Sequence, residues 1–347
     1  MTALLLLLSL VLPSQLSQPS PNVVLIISDD QAWTDYGFMG HPSIETPNLD
    51  KLAKQSVVFR RGYVPTPLCR PSLTTLATGL YAHQSLITGN DPANTKENQA
   101  YAARSGKDIR ELLISNVDRN LTLPRALARQ GYLTFQSGKW WEGSYQRGGF
   151  THGMTRGYPQ KGGRHGDDGL TIGRKGLNPI SEFMDLAIAS QKPFFLWYAP
   201  FLPHTPHNPP PRLLQKYQQD GRPKALASYY AMCEWLDETC GELLDQLKNK
   251  GVDENTLVIY VTDNGWIQHP NGGYAARSKR SPYEGGTRTP IMFRWPGKMK
   301  PEERSELCSS IDIVPTILAA AGVAVPANLP GLNLLPNLQQ GTPVERN

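Results

Sequence analysis

A chain of 347 residues with 39% hydrophobic and 19% charged residues has enough material for one large or two smaller globular domains. Its net charge of +5 is mild, and no lysine- and arginine-rich run with interleaved aromatics stands out, which argues against nucleic acid and leaves room for a small anionic partner. The 30 prolines and 31 glycines predict long, structured loops.

The chain opens on MTALLLLLSLVLPSQLSQPSPN, whose apolar run at 3–12 is too short to cross a bilayer and matches a signal-peptide core. Residues 1–20 are therefore expected to be a signal peptide and the protein to be exported, to a periplasm or outside the cell. No other run is long enough for a stable membrane span.

The first strand is expected at NVVLIIS (22–28), which runs into Asp29 and Asp30. TPNLDKLAKQSV follows as a helix, with Thr46 placed to cap it and Pro47 at its first position. In TPLCRPSLTTLATGLY a helix begins near Cys69 and Pro71 and closes at Gly79. A thiol at a helix start sits at the positive end of the dipole and tends toward thiolate, although a buried structural cysteine fits the local sequence equally well. LPRALARQG reads as a helix stopping at Gly131, and YLTFQS (132–137) as a strand running into GKWW and Lys139. The loop GKWWEGSYQRGGFTHGMTRGYPQKGGRHGDDG has tryptophan, tyrosine and arginine side chains that either line a sugar-binding cleft or simply pack the loop.

NPISEFMDLAIASQ is helical, and PFFLWYA (193–199) is a strand leading into PFLPHTPH, with His204 and His207. KALASYYAMCEWLDETCGELLDQLKNKG is one long helix ended by Gly251. On it Cys233 and Cys240 lie ~10 Å apart at ~1.5 Å per residue, too far to bridge, so both are expected as buried thiols, like Cys308. TLVIYVT (256–262) is the last clear strand and runs into Asp263 and Asn264; Lys279 follows in the glycine-rich loop YAARSKRSPYEGGTRTP.

Continuous apolar strands alternating with helices mean an α/β fold with a mostly parallel central sheet sandwiched by helices. In such sheets ligands bind outside the carboxyl ends of the strands. Each site residue has a bland reading alone: a cap or Asx turn for either acid pair, a solvated cation for Lys139 or Lys279, a surface hydrogen-bonder for His204. Four strand ends delivering acids, a lysine, a histidine and an Asp-Asn pair to one edge read instead as a site. Adjacent carboxylates need a cation or hydrogen bonds to offset their repulsion, and an oxygen-only donor set suits Ca2+ or Mg2+ rather than zinc.

PNVVLIISDD, ETPNLDKLAKQSVVFRRGY, LCRPSLTTLATGLYAHQ, GKWWEG, FLPHTP, VIYVTDNG and SKRSPYEGGTRTPIMFRWPGK together resemble the type I sulfatases of the alkaline phosphatase superfamily, in order from about residue 21 to about 320. The resemblance implies a catalytic domain over 21–325, followed by a tail (326–347) that begins a smaller, truncated subdomain. It implies that Cys69 is converted by a formylglycine-generating enzyme to formylglycine, whose hydrate attacks the sulfate sulfur. It implies Ca2+ held by Asp29, Asp30, the modified Cys69, Asp263 and Asn264, with Lys139 and Lys279 on the sulfate oxygens. His204 would contact the sulfate or protonate the leaving oxygen, and the substrate would be a sulfated small molecule or glycan. The chain departs from the family at two site positions: Leu73 replaces the arginine of C-x-P-S-R, and Trp141 replaces the histidine of GKWHLG. A phosphodiesterase or phosphonate hydrolase of the same superfamily, and a sulfatase-like binding protein without turnover, are the alternatives.

Overall fold

Four apolar runs form the middle of one eight-stranded sheet, ordered β4-β3-β5-β1-β6-β7-β2-β8. The computed structural model describes residues 20–218 and 221–346. The expected strands are β1 (Asn22–Ser28), β3 (Leu133–Gly138), β5 (Phe194–Ala199) and β6 (Thr256–Thr262), adjacent and all parallel. Four further strands complete the sheet: β2 (Val57–Tyr63), the two-residue β4 (His152–Gly153), β7 (Arg288–Arg294) and β8 (Glu302–Ser309). β7 runs antiparallel to both β6 and β2, so the sheet is mixed but mostly parallel.

Alternate side chains of β1 enter two different cores, as the strand's period of two requires. Val23, Leu25 and Ile27 face a layer containing helices α2 (Cys69–Thr78), α3 (Leu123–Arg129) and α6 (Ile313–Ala320). Val24 and Ile26 face α1 (Pro47–Lys54), α4 (Asn178–Ala189) and the long α5 (Lys224–Asn249). Burial on both faces is why these strands carry no polar alternation.

The expected helices form, with one correction at a cap. Thr46 does stand at the N-cap of α1, but its hydroxyl donates to Asp50 instead. The helix start is satisfied from across the core, where the Asp237 carboxylate on α5 accepts from Asn48 N and Leu49 N at 3.1 and 2.7 Å. Cys233, Cys240 and Cys308 are free, buried thiols. Leu334 and Leu338, in the segment read as a tail, are buried against the α2 side of the sheet. The signal-peptide segment 1–20 lies outside the described residues except for Ser20; among those described, no helix is long and apolar enough to cross a membrane.

Candidate active site

Parallel pairing in register brings the carboxyl ends of β3, β5, β1 and β6 to one edge. Asp29 N donates to Leu202 O, Lys139 N to Ala199 O and Asp263 N to Ser28 O, so each loop is tied to its neighbour as it leaves the sheet. Gly138 makes the turn into Lys139 at φ +81°, where an added Cβ would lie 1.8 Å from the Ala199 carbonyl oxygen; only glycine fits. Asp30 has φ +61°, an uncommon left-handed conformation for a residue with a side chain.

All eight predicted site residues converge. Lys139 Nζ lies 2.7 Å from both carboxylate oxygens of Asp29, and Lys279 Nζ 2.6 Å from both of Asp30. Lys279 Nζ also lies 3.2 Å from Cys69 Sγ, which is itself 3.9 Å from Asp30 Oδ1. His204 places Nε2 3.3 Å from Asp30 Oδ2, while its Nδ1 donates to Thr205 O. Asn264 Nδ2 donates to Asp30 Oδ1, and Asp263 Oδ1 accepts from Asp30 N and Asn264 N. Candidate ligand atoms of Asp29, Asp30, Cys69 and His204 all fall within 4.8 Å of one another.

The charges do not balance. Asp29, Asp30 and Asp263 are at most 2% exposed, and against these carboxylates stand two ammonium groups. Burial drives Asp29 up, but Lys139, then His204 and Lys279, outweigh it and bring it to about 2. Asp263 takes the surplus: burial and the Asp29 charge hold its carboxyl well above the usual range. Its Oδ2 and the Oδ1 of Asn264 are buried without a hydrogen-bond partner. Burial, with help from the lysines, lowers the affinity of His204 for a proton despite Asp29 and Asp30, so a neutral Nε2 lone pair faces a carboxylate. Two orphaned oxygens, a third buried carboxylate against only two ammonium groups and a lone pair against a carboxylate are what a bound hard cation would resolve, so these residues fit a divalent metal.

Cys69 is the first residue of α2, as expected, but its thiol is not activated. Burial pushes it up to about 12; Lys139 and Lys279 pull the other way, and the Asp263 and Asp30 carboxylates cancel much of their effect. The positive end of a helix does not offset full desolvation beside two acids. Leu73 is buried one turn below Cys69, in the same apolar cluster as Trp140 and Trp141. The tryptophans therefore serve the core and not a cleft.

The residues that the sequence did not single out form a second buried layer. Arg70 and Glu142, fully and almost fully buried, make a bidentate pair with both bonds at 2.7 Å. Glu142 also accepts from Thr74 Oγ1, and Arg70 NH1 donates to Asn90 O. The pair joins the first turn of the Cys69 helix to the loop three residues after Lys139. Its only sequence signal was adjacency: each partner lies within three residues of a site candidate. Glu142→Gln should leave a buried guanidinium underpaired and cost about 3–5 kcal/mol, whereas Arg70→Met with Glu142→Leu should cost much less. Urea unfolding midpoints check this; a double variant as unstable as the sum of the singles would show that the pair does not act as a unit.

A mostly parallel α/β sheet whose strand ends gather three acids, two lysines, a histidine and a buried cysteine has the architecture of a hydrolase for anionic esters. The chain belongs to the Sulfatase family, whose model matches residues 21–323, and it is a sulfuric ester hydrolase. It is 31% identical to arylsulfatase A of Homo sapiens over 96% of this chain and 70% of that protein. It is also 31% identical to N-acetylgalactosamine-6-sulfatase of Homo sapiens, over 94% of this chain and 67% of that protein. Among solved structures, Ps i-CgsB in complex with k-i-k-neocarrahexaose superposes with a TM-score of 0.75 at 27% identity, over 93% of this chain and 77% of that one.

Proposed function

We propose that the site hydrolyses the sulfate ester of a glycan, with Cys69 converted to formylglycine and Ca2+ held by Asp29, Asp30, Asp263, Asn264 and the modified residue 69. The observation that carries this is the third buried carboxylate, Asp263, whose Oδ2 is orphaned together with the Asn264 Oδ1, in the cluster that holds Cys69. When present, the aldehyde hydrate supplies the nucleophile and the cation stabilises negative charge on the sulfate oxygens. The thiol as it stands, pushed up to about 12, is a poor nucleophile. Because Cys69 is 1% exposed, a formylglycine-generating enzyme would have to act before folding is complete.

The remaining roles belong to side chains of this chain. Asp29, with Asp263 and Asp30, outweighs burial and keeps Lys139 charged above its ordinary value; Asp30 does the same for Lys279. Both ammonium groups can therefore turn from the carboxylates to the oxygens of an arriving sulfate, where charge builds as the S–O bond breaks. The Nδ1 bond to Thr205 leaves Nε2 as the His204 atom that faces the site; it would first take a proton from solvent as the negative sulfate arrives and then pass that proton to the leaving oxygen. The catalytic domain on this reading is 21–325, followed by the tail 326–347, and the apolar run at 3–12 directs export.

The test is the rate of 4-nitrophenyl sulfate hydrolysis against that of bis(4-nitrophenyl) phosphate. The sulfate is expected to react faster. A faster diester would move the assignment to a phosphodiesterase or phosphonate hydrolase. Binding of a sulfated sugar without turnover of either ester would make Leu73 and Trp141 the mark of a binding protein.

A further inference from the structure

The cavity over the site measures about 530 Å3, far more than one sulfate group fills. Asp30, His204 and Lys279 face it from the sheet edge, and Trp266, Tyr274 and Arg280 are among its outer lining. Around it the other charged groups have partners of opposite sign, with two arginines sharing one carboxylate. Lys279 meets Asp30, and Asp91 is held by Arg164 at 2.6 and 3.0 Å and by Arg110 at 2.7 Å. Arg280 is different: it lines the cavity, is exposed, and its guanidinium has no acidic partner among the described residues.

Its backbone is also unusual. Arg280 has φ +65° and is pinned by its N–H on the Pro67 carbonyl at 2.9 Å. Glycine adopts that conformation without penalty, so an arginine held there beside a cavity points to a use for the side chain. The neighbouring strained Arg277 has its guanidinium over the Tyr283 ring, 4.7 Å from the centroid, and so is already engaged. Next to Arg280 the rings of Trp266 and Tyr274 meet at 4.9 Å and 58°. Trp266 is buried and fixed by its Nε1 bond to Gln268, while Tyr274, packed against it, is 39% exposed. An exposed phenol ring backed by a fixed indole suits the apolar face of a sugar ring.

We propose that the leaving group is a sugar that lies against Tyr274 and carries a second anionic substituent, sulfate or carboxylate, paired with the Arg280 guanidinium. This rests on the sulfate-ester reading of the site. With one ester sulfate at the Lys139–Lys279 end, Arg280 is the cation of the cavity lining that no carboxylate holds, and a guanidinium binds either oxyanion through two parallel bonds.

The experiment measures glucosamine and galactosamine mono- and disulfates as competitors of 4-nitrophenyl sulfate hydrolysis, with a uronate-bearing monosulfated disaccharide to separate carboxylate from sulfate. The doubly anionic sugars should compete about tenfold better than the monosulfates. Arg280→Gln should erase that advantage, and Arg280→Lys should restore part of it. Calorimetric binding of the same sugars to the Cys69→Ala protein should show the same pattern without turnover. Equal competition by singly and doubly charged sugars, or an advantage that R280Q leaves intact, overturns the proposal. A protein that does not hydrolyse 4-nitrophenyl sulfate would overturn the sulfatase reading separately, with the calorimetric series still deciding on Arg280.

Discussion

Cys69→Ala is expected to abolish sulfate release, lowering kcat by roughly four orders of magnitude or more, while the protein stays folded. The sulfur is buried, but its polar contacts are few: Lys279 Nζ at 3.2 Å and Asp30 Oδ1 at 3.9 Å. Removing it leaves a small cavity at one end of a ten-residue helix whose C-terminal Gly79 and body are untouched. The loss of activity should therefore be chemical and not structural. The same peptide distinguishes two nucleophiles. In the active, unaltered protein its mass should be that of an aldehyde in place of the thiol. An active preparation whose Cys69 peptide carries an unaltered thiol throughout would overturn the formylglycine mechanism. Leu73 makes that outcome informative, because the arginine of the family motif is absent one turn below the modified position and an apolar side chain fills the space.

Much of the architecture could be read from residue pattern because of where the strands lie. β1, β3, β5 and β6 are covered on both faces, so each reads as a continuous apolar run, and each delivers its next residues to the same edge. β2, β7 and β8 were not legible. β2 is VVFRRGY and β8 is EERSELCS, strands toward one side of the sheet with charged positions that no longer stand out from loops. β7 pairs antiparallel, and nothing in RTPIMFR announces that reversal. The order of strands, with β1 between β5 and β6, is a fact of long-range pairing and has no local signature.

The site divides along the same line. Asp29, Asp30, Lys139, His204, Asp263 and Asn264 follow strand ends, and Cys69 begins a helix; position alone draws attention to them. Arg70 and Glu142 are 72 residues apart, and their pairing is a tertiary event. Of the two readings of the loop after β3, the buried tryptophans favour packing. Aromatic content drew the eye to the loop after β3, but Trp140 and Trp141 fill the core, and of its tryptophans, tyrosines and arginines only Arg164 lines the cavity. The exposed aromatic surface comes from Tyr274, on the loop after β6, with the buried Trp266 behind it.

Asp263→Asn should separate what that residue does for the fold from what it does for the metal. The amide keeps an oxygen for the N–H groups of Asp30 and Asn264, so the turn at the end of β6 stays closed. It removes a carboxylate whose proton affinity is raised by burial and by the Asp29 charge, and so removes repulsion from the metal-free protein. The metal-free variant should thus melt at the same temperature as the unaltered protein or higher. Calcium should stabilise the unaltered protein far more than the variant. At a hundred dissociation constants of free ion the unaltered protein gains about 2.7 kcal/mol, and the variant should lose most of that gain because a neutral amide replaces a charged ligand. Activity should fall about a thousandfold, the scale of losing one main electrostatic stabiliser of the transition state. Thermal unfolding with and without calcium, set beside sulfate release, decides the matter. An Asp263→Asn protein that kept both its calcium-dependent rise in Tm and its turnover would place the ion, if one binds, somewhere other than the end of β6.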